Sequence, residues 1–262
     1  MNMKNVEFLR DQIKYTGYGE GFEAELKEKI AKGLPEFQLH HRTEFNDKVV
    51  TASLEFSKSK NSDLYFFNSH KVEFKPEGSR ELMSQTFRMG KENNTTLKEA
   101  FNLMEGRAIY KEFSKLEKQG EGQDAKFVAT GEKYQAWKKF NFKESDKFGN
   151  FKADIFTDAY GYNLKEAIAR LPLKEQQDEP KMNRLQASLE KGNLQIVEGK
   201  DQQFYLAANP QFKRIDVYDL DLKKISLDLE GQPAHSKSKG QENKPEAAHK
   251  SRGSRKKNSQ AV

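Results

Sequence analysis

The 262-residue chain combines 33% charged residues with only 35% apolar residues, and it contains no cysteine. The absence of cysteine excludes disulfide bonds, thiolate catalysis and every zinc or iron–sulfur site that needs Cys ligands. No apolar stretch approaches the ~20 residues that span a bilayer, and the N-terminus lacks an apolar run of signal-peptide length. We therefore expect a cytoplasmic protein without a membrane partner.

The net charge of +6 lies entirely in a C-terminal tail, residues 231–262. This tail holds eight Lys or Arg and two acidic residues, whereas residues 1–230 hold 38 basic and 38 acidic residues. It is poor in apolar residues and rich in Ser, Lys, Gly, Pro and Glu, which is typical of disorder. Its most basic part can contact the phosphates of DNA or RNA through Lys250, Arg252, Arg255, Lys256 and Lys257. A tail that serves only solubility is the alternative.

The first 92 residues show helical apolar spacing followed by strand-like alternation. The helical spacing predicts helices over 5–15 and 22–32, separated by glycines at positions 17, 19 and 21. From Pro35 to Met89, apolar residues alternate with polar ones, interrupted by Asn-Asp, Lys-Asn-Ser-Asp and Pro-Glu-Gly turns. This pattern predicts a helical hairpin and an antiparallel meander with one buried face as the N-terminal domain, residues 1–92.

Two further units and the tail are predicted, with the boundaries 93–172, 181–229 and 230–262. The predicted helices cover 97–105, with a cap at Thr95 or Thr96, 163–171 and 181–191. The predicted strands cover 108–113, 132–143, 194–197, 204–208 and 214–218. We expect the glycine-rich, charged segment 115–130 to form a loop and the polar segment 172–180 to form a linker.

A glycine that ends a helix recurs three times, which suggests an internal repeat. Gly33, Gly106 and Gly192 each follow a helical segment and precede strands. The second and third copies resemble each other best, as Leu-Met-Glu-Gly-Arg at 103–107 against Leu-Glu-Lys-Gly-Asn at 189–193. The fold class predicted from this order is α+β, with short helices packed on antiparallel sheets in helix-Gly-strand-strand repeats.

Several segments resemble uncharacterised proteins carried on conjugative elements of Bacteroidetes. The segments are Lys14–Glu20, Pro35–Leu39, Leu97–Arg107 and Asn209–Lys213. The units around Glu-Gly-Arg and Lys-Gly-Asn are also similar to a small domain of unknown function that occurs there singly or in tandem, sometimes appended to DNA-processing enzymes. The resemblance implies a mobile-element setting for residues 5–220 and carries over no catalytic residue.

No arrangement of residues specifies an enzyme, a metal or a cofactor. The glycines at 17, 19 and 21 follow a helix rather than a strand and lack the Lys-Ser/Thr ending of a phosphate-binding loop. His40 and His41 point to opposite faces of a strand, so a metal site would need His70 with carboxylates that no spacing marks. Asp216, Asp219 and Asp221 lack the glycine and the closing glutamate of a calcium loop.

The only tryptophan interrupts the pattern of its strand. With Tyr134, Ala136, Phe140 and Phe142 on the apolar face, Trp137 falls on the opposite face beside Lys139 and Lys143. An aromatic ring flanked by cations can stack a base and hold the backbone, so these three residues are candidate nucleic-acid contacts. The alternative is a Trp137 packed beneath a neighbouring helix or loop, with lysine stems over its edge.

Three functions remain open. The first is a non-enzymatic accessory protein of a mobile genetic element, whose body binds a protein partner of that machinery while the tail contacts DNA or RNA. The second is a purely protein-binding or inhibitory module without a nucleic-acid role. The third is a catalytic domain whose site carries no recognisable motif.

Overall fold

The computed structural model describes residues 2–91, 93–121, 126–199 and 201–226, with only the backbone at 126 and 127. The α-helices are α1 Met3–Ile13, α2 Glu23–Ala31, α3 Leu97–Met104, α4 Leu164–Ala169 and α5 Glu179–Glu190. The strands are β1 Glu36–Phe45, β2 Lys48–Lys58, β3 Tyr65–Phe74, β4 Met83–Arg88, β5 Ile109–Gln119, β6 Lys126–Ser145, β7 Phe151–Thr157, β8 Gln195–Glu198, β9 Gln203–Asn209, β10 Arg214–Tyr218 and β11 Lys224–Ile225.

These strands form three antiparallel sheets: sheet 1 (β1–β4), sheet 2 (β5–β7) and sheet 3 (β8–β11). In each sheet every strand pairs with its neighbour in the chain. The hairpin between β1 and β2 turns on Asn46 and Asp47, both at positive φ (49° and 60°), as a two-residue turn between twisted strands requires. The predicted α+β class is confirmed.

The order helix, glycine, antiparallel meander occurs three times, as the repeat predicts. Gly33, Gly106 and Gly192 follow α2, α3 and α5 with φ of 67°, 81° and 76°. The second and third helix ends share the same terminal hydrogen bonds: Arg107 N donates to Asn102 O (3.0 Å) and Asn193 N donates to Ser188 O (3.2 Å). A residue in the left-handed conformation turns the chain so that the N–H of the next residue can bond to the last helical turn. Glycine adopts this conformation readily, which explains why it occupies this position.

Sheet 2 lies between two apolar cores, and each of its faces contributes to one of them. The first core joins α1–α3, sheet 1 and the face of sheet 2 that carries Ile109 and Phe140. The second core joins α4, α5, sheet 3 and the face that carries Trp137, with Tyr110 packed against it. The first core therefore extends across the boundary predicted at residue 92.

Two predictions about the chain between 115 and 180 are corrected, and one strand there was missed. The expected loop over 115–130 is strand at both of its ends, because β5 continues to Gln119 and β6 begins at Lys126. The strand β7 was not predicted, since Phe151, Ala153 and Ile155 alternate over only seven residues. The expected linker carries the buried Leu173, and α5 begins within it, at Glu179.

The part of the chain that the structure describes contains no helix long and apolar enough to cross a membrane.

Candidate functional site

The turn between β9 and β10 of sheet 3 carries an exposed aromatic side chain, that of Phe212. Pro210 begins a short 3₁₀ turn over Pro210–Phe212, and Lys213 closes it in the left-handed conformation, with φ 52° and its N–H on Pro210 O at 3.0 Å. Because proline presets φ and Lys213 reverses the chain, Phe212 is left at the tip. Its side chain is 61% exposed.

Cations and a second aromatic ring surround Phe212. The guanidinium carbon of Arg214 lies 5.2 Å from the centroid of the Phe212 ring, and Lys213 Nζ lies 4.6 Å from the centroid of Tyr160. The Tyr160 hydroxyl donates to Gln211 O at 2.9 Å, and Lys139 Nζ donates to Gln211 Oε1 at 3.1 Å. We call the surface formed by Lys139, Tyr160, Gln211, Phe212, Lys213 and Arg214 the Phe212 platform.

A buried carboxylate anchors the base of the platform. Asp216 accepts hydrogen bonds from Asn209 Nδ2 (2.6 Å) and Arg214 Nε (3.1 Å), and it pairs with Lys224 Nζ (2.7 Å). Burial would raise the pKa of Asp216, but the hydrogen bonds from Lys224 and Asn209 outweigh it and hold that pKa below its usual value. Arg214 is thereby oriented from below, whereas Lys213 forms no ion pair within the described residues.

The structure brings only one of the predicted site residues of the body into this platform. Lys139 lies in it, half-buried, with its pKa lowered by burial. Lys143 is exposed further along β6, beyond the last residues that pair regularly with β7. Lys250, Arg252, Arg255, Lys256 and Lys257 lie outside the described residues.

The stacking role predicted for Trp137 is wrong. Its side chain is 4% exposed and packs between Tyr110 and Tyr162, with centroid separations of 5.2 and 5.4 Å. The alternative reading, a tryptophan beneath neighbouring elements, is the one observed. Alternation along one strand could not reveal this, because β6 is buried on both faces at Ala136 and Trp137.

Sequence reasoning missed Tyr160, Phe212, Lys213 and Arg214. The signal was present in the segment Asn209–Arg214, where a proline turn presents one aromatic residue followed by two cations. Tyr160 carried no such signal, since its contact with Gln211 joins positions 51 residues apart.

His70 is buried inside the protein rather than placed at a surface where it could contact a substrate. It is 0% exposed, its Nδ1 lies 2.6 Å from the Tyr18 hydroxyl, and its ring stacks on Phe87 at 5.2 Å. Burial lowers the pKa of His70 to about 4 and raises the pKa of Tyr18. No group of three or more His, Asp or Glu among the described residues is arranged to hold a metal ion.

Comparisons of the chain with protein-family models, with curated proteins and with solved structures gave no match.

Proposed function

We propose that this chain is a non-enzymatic binding protein that holds single-stranded nucleic acid on the Phe212 platform. The observation that supports the proposal is the 61% exposed Phe212 ring with the Arg214 guanidinium beside it. Proteins that bind single strands without reading their sequence combine aromatic rings that stack bases with cations that contact the backbone. The resemblance to proteins of conjugative elements supports an accessory role for a mobile genetic element.

The platform and the tail contribute differently to this function. On the platform, a base stacks on Phe212 while Lys213 and Arg214 contact the adjoining phosphates. The tail supplies eight Lys or Arg that attract any phosphate backbone, duplex included. Preference for single strands therefore belongs to the platform, since the bases of an intact duplex are not free to stack on Phe212.

Substitution of Phe212 tests the proposal in the full chain. Stacking contributes about 1–3 kcal/mol per base, so Phe212→Ala is expected to weaken binding of a short single-stranded oligonucleotide about 5- to 150-fold. Duplex binding should stay unchanged. Lys213→Gln should make the slope of log affinity against log salt for single strands shallower by about 0.7.

Phe148 offers a matched control. It is 72% exposed and has Lys147 Nζ 5.0 Å from its ring centroid, like an aromatic residue of the platform. Phe148 precedes β7, whereas Tyr160 follows that strand, so Phe148 is not part of the Phe212 platform. Phe148→Ala should leave single-strand affinity unchanged. Equal losses from Phe148→Ala and Phe212→Ala would contradict the proposal, as would single-strand affinity insensitive to both.

A second candidate, a module that binds only protein, is favoured by the hairpin of β5 and β6. β7 pairs with β6 only from Ala136 onward, so the far part of the hairpin is a two-stranded ribbon with unpaired edges. Leu116 and Val128 on this ribbon are 57% and 41% exposed. Unpaired strand edges with exposed apolar residues are typical sites for strand addition by a partner.

The two candidates are distinguished by a pair of variants. For the protein-binding module, Leu116→Lys should abolish binding to a purified relaxase or topoisomerase of a conjugative element, and Phe212→Ala should leave that binding intact. If Leu116→Lys has no effect on that complex, or if no complex forms, this candidate is rejected.

A further inference from the structure

A cleft of about 490 Å³ opens on the side of the second core, between sheet 2, α4 and α5. Three aromatic residues, Tyr110, Trp137 and Tyr162, form one part of its lining. Trp137 is 4% exposed, and its indole N–H donates no hydrogen bond to any described residue. Among the described residues, the indole nitrogen is not one of the buried polar atoms that lack a partner, so a group that enters the cleft can reach it. The indole N–H can therefore donate to an acceptor from outside.

Carboxylates line the rest of the cleft. Asp158 accepts from the Tyr110 hydroxyl at 3.2 Å, Glu190 accepts from Gln186 at 2.9 Å, and Glu166 accepts from Asn163 at 3.0 Å. None of the three carboxylates pairs with a cation within the described part of the chain. Lys165 is the one cation in the lining. The site therefore combines an excess of negative charge with aromatic rings, which suits a cationic side chain.

We propose that this cleft binds the basic segment of the chain's own C-terminal tail. A Lys or Arg side chain lies against the aromatic rings and pairs with Glu166 or Glu190, while a backbone carbonyl of the tail accepts from the Trp137 indole. Residues 250–257 match this chemistry, because they contain five Lys or Arg and no acidic residue. Charge complementarity thus selects the tail as the occupant.

The length of the chain also permits this contact. The 23 residues between Ser226, the last described position, and Lys250 can extend to about 80 Å. The last described strand, β11, places Ile225 against the same core that contains Trp137. A tethered segment that reaches its site acts at a local concentration on the order of millimolar, so modest contacts suffice.

Occupancy of the cleft would compete with nucleic-acid binding by the tail. The turn Asp158–Tyr162 separates the cleft from the Phe212 platform: Asp158 and Tyr162 line the cleft, whereas Tyr160 belongs to the platform. Cations held in the cleft are withdrawn from duplex phosphates. The tail becomes available for duplex DNA when the phosphates outcompete the cleft carboxylates for its cations. This consequence does not depend on whether the platform itself binds a single strand.

A spin label on the full chain tests the proposal. Because the chain has no cysteine, Ser254→Cys gives a single site for a nitroxide, and the only tryptophan gives one indole N–H resonance. At low salt we expect the nitroxide to broaden that resonance. The double variant Glu166→Gln with Glu190→Gln should reduce the bound fraction of the tail about fivefold, since each exposed ion pair contributes modestly. Lys165→Gln should instead increase the broadening.

The other outcomes overturn the proposal. Broadening that persists in the double variant, that spreads evenly over the surface, or that is absent at low salt shows that the tail does not bind this cleft. A mixture of labelled chains with isotope-enriched unlabelled chains distinguishes the source of the tail. If the indole resonance of the unlabelled chains broadens in that mixture, the nitroxide lies on another chain. That result would assign the cleft to the tail of a second copy rather than to that of the same chain.

Discussion

Arg107 Nε donates a hydrogen bond to Gly192 O at 2.8 Å, which joins the C-terminal turns of α3 and α5. Asn102 completes the contact: its Oδ1 accepts from Arg107 at 2.7 Å, and its Nδ2 donates to Lys191 O at 2.8 Å. The residues that mark the second and third copies of the repeat therefore lie against each other. This contact is where the two copies are held together.

Gly192→Ala is expected to destabilise the fold by at least about 2 kcal/mol. Gly192 has φ 76°, and an added Cβ would lie 2.9 Å from Ala108 O and 3.1 Å from Asn102 Cβ. The left-handed conformation contributes about 1 kcal/mol, and the steric overlap adds to it. Urea denaturation measures the effect. Gly33→Ala is the control: at φ 67° with no atom within 4 Å, it should cost only about 1 kcal/mol.

Arg107→Met is expected to cost about 2–4 kcal/mol of unfolding free energy. Burial lowers the pKa of Arg107, and the hydrogen bonds to Gly192 and Asn102 compensate that burial. Removing the guanidinium leaves two buried acceptors without this donor. Lys115→Met removes an exposed pair with Glu132 and should leave the urea midpoint unchanged. Similar midpoints for both variants would contradict the prediction.

The free energy of unfolding is expected to fall as the pH decreases from about 6.5 to about 4. The pKa of His70 is about 4 in the folded chain against an ordinary 6.5, because burial disfavours the charged ring. The unfolded chain therefore binds the proton first, and acidification through this window costs up to about 3 kcal/mol. Urea denaturation at several pH values measures this dependence.

His70→Gln isolates the contribution of this residue. Burial also lowers the pKa of His41, whose ring lies 5.3 Å from that of Tyr18, so His41 acts in the same direction and remains in the variant. The variant should lose stability at pH 7 and show a shallower dependence on pH between 6.5 and 4. An unchanged slope would mean that His70 does not titrate in this way.

Deleting residues 231–262 is expected to remove most binding to generic duplex DNA at low salt. The whole excess charge of +6 is removed with them. For the full chain, log affinity should fall with log salt at a slope no steeper than about −7, which corresponds to engagement of all eight cations. Filter binding at several salt concentrations measures the slope. Equal duplex affinity of the truncated and full chains would place the binding face within the formally neutral body.

The local structure followed from local signals in the sequence. Thr96 caps α3 through Glu99 N at 3.3 Å, and Gly33, Gly106 and Gly192 end their helices at positive φ, as their positions predict. The buried positions Val6, Leu9 and Ile13 of α1 match its helical spacing. These features depend on residues within one or two turns of each other, so the order of elements and the α+β class could be predicted.

Only the tertiary structure decided which surfaces are available for binding. Trp137 is enclosed because α4 and sheet 3 cover the second face of sheet 2, and no alternation along β6 reports what covers that face. The Phe212 platform likewise needs Tyr160 and Lys139 to meet a turn that is 51 and 72 residues away in the chain. The pattern of side chains in one sequence segment shows the periodicity of that segment alone. Contacts between segments depend on how the sheets stack.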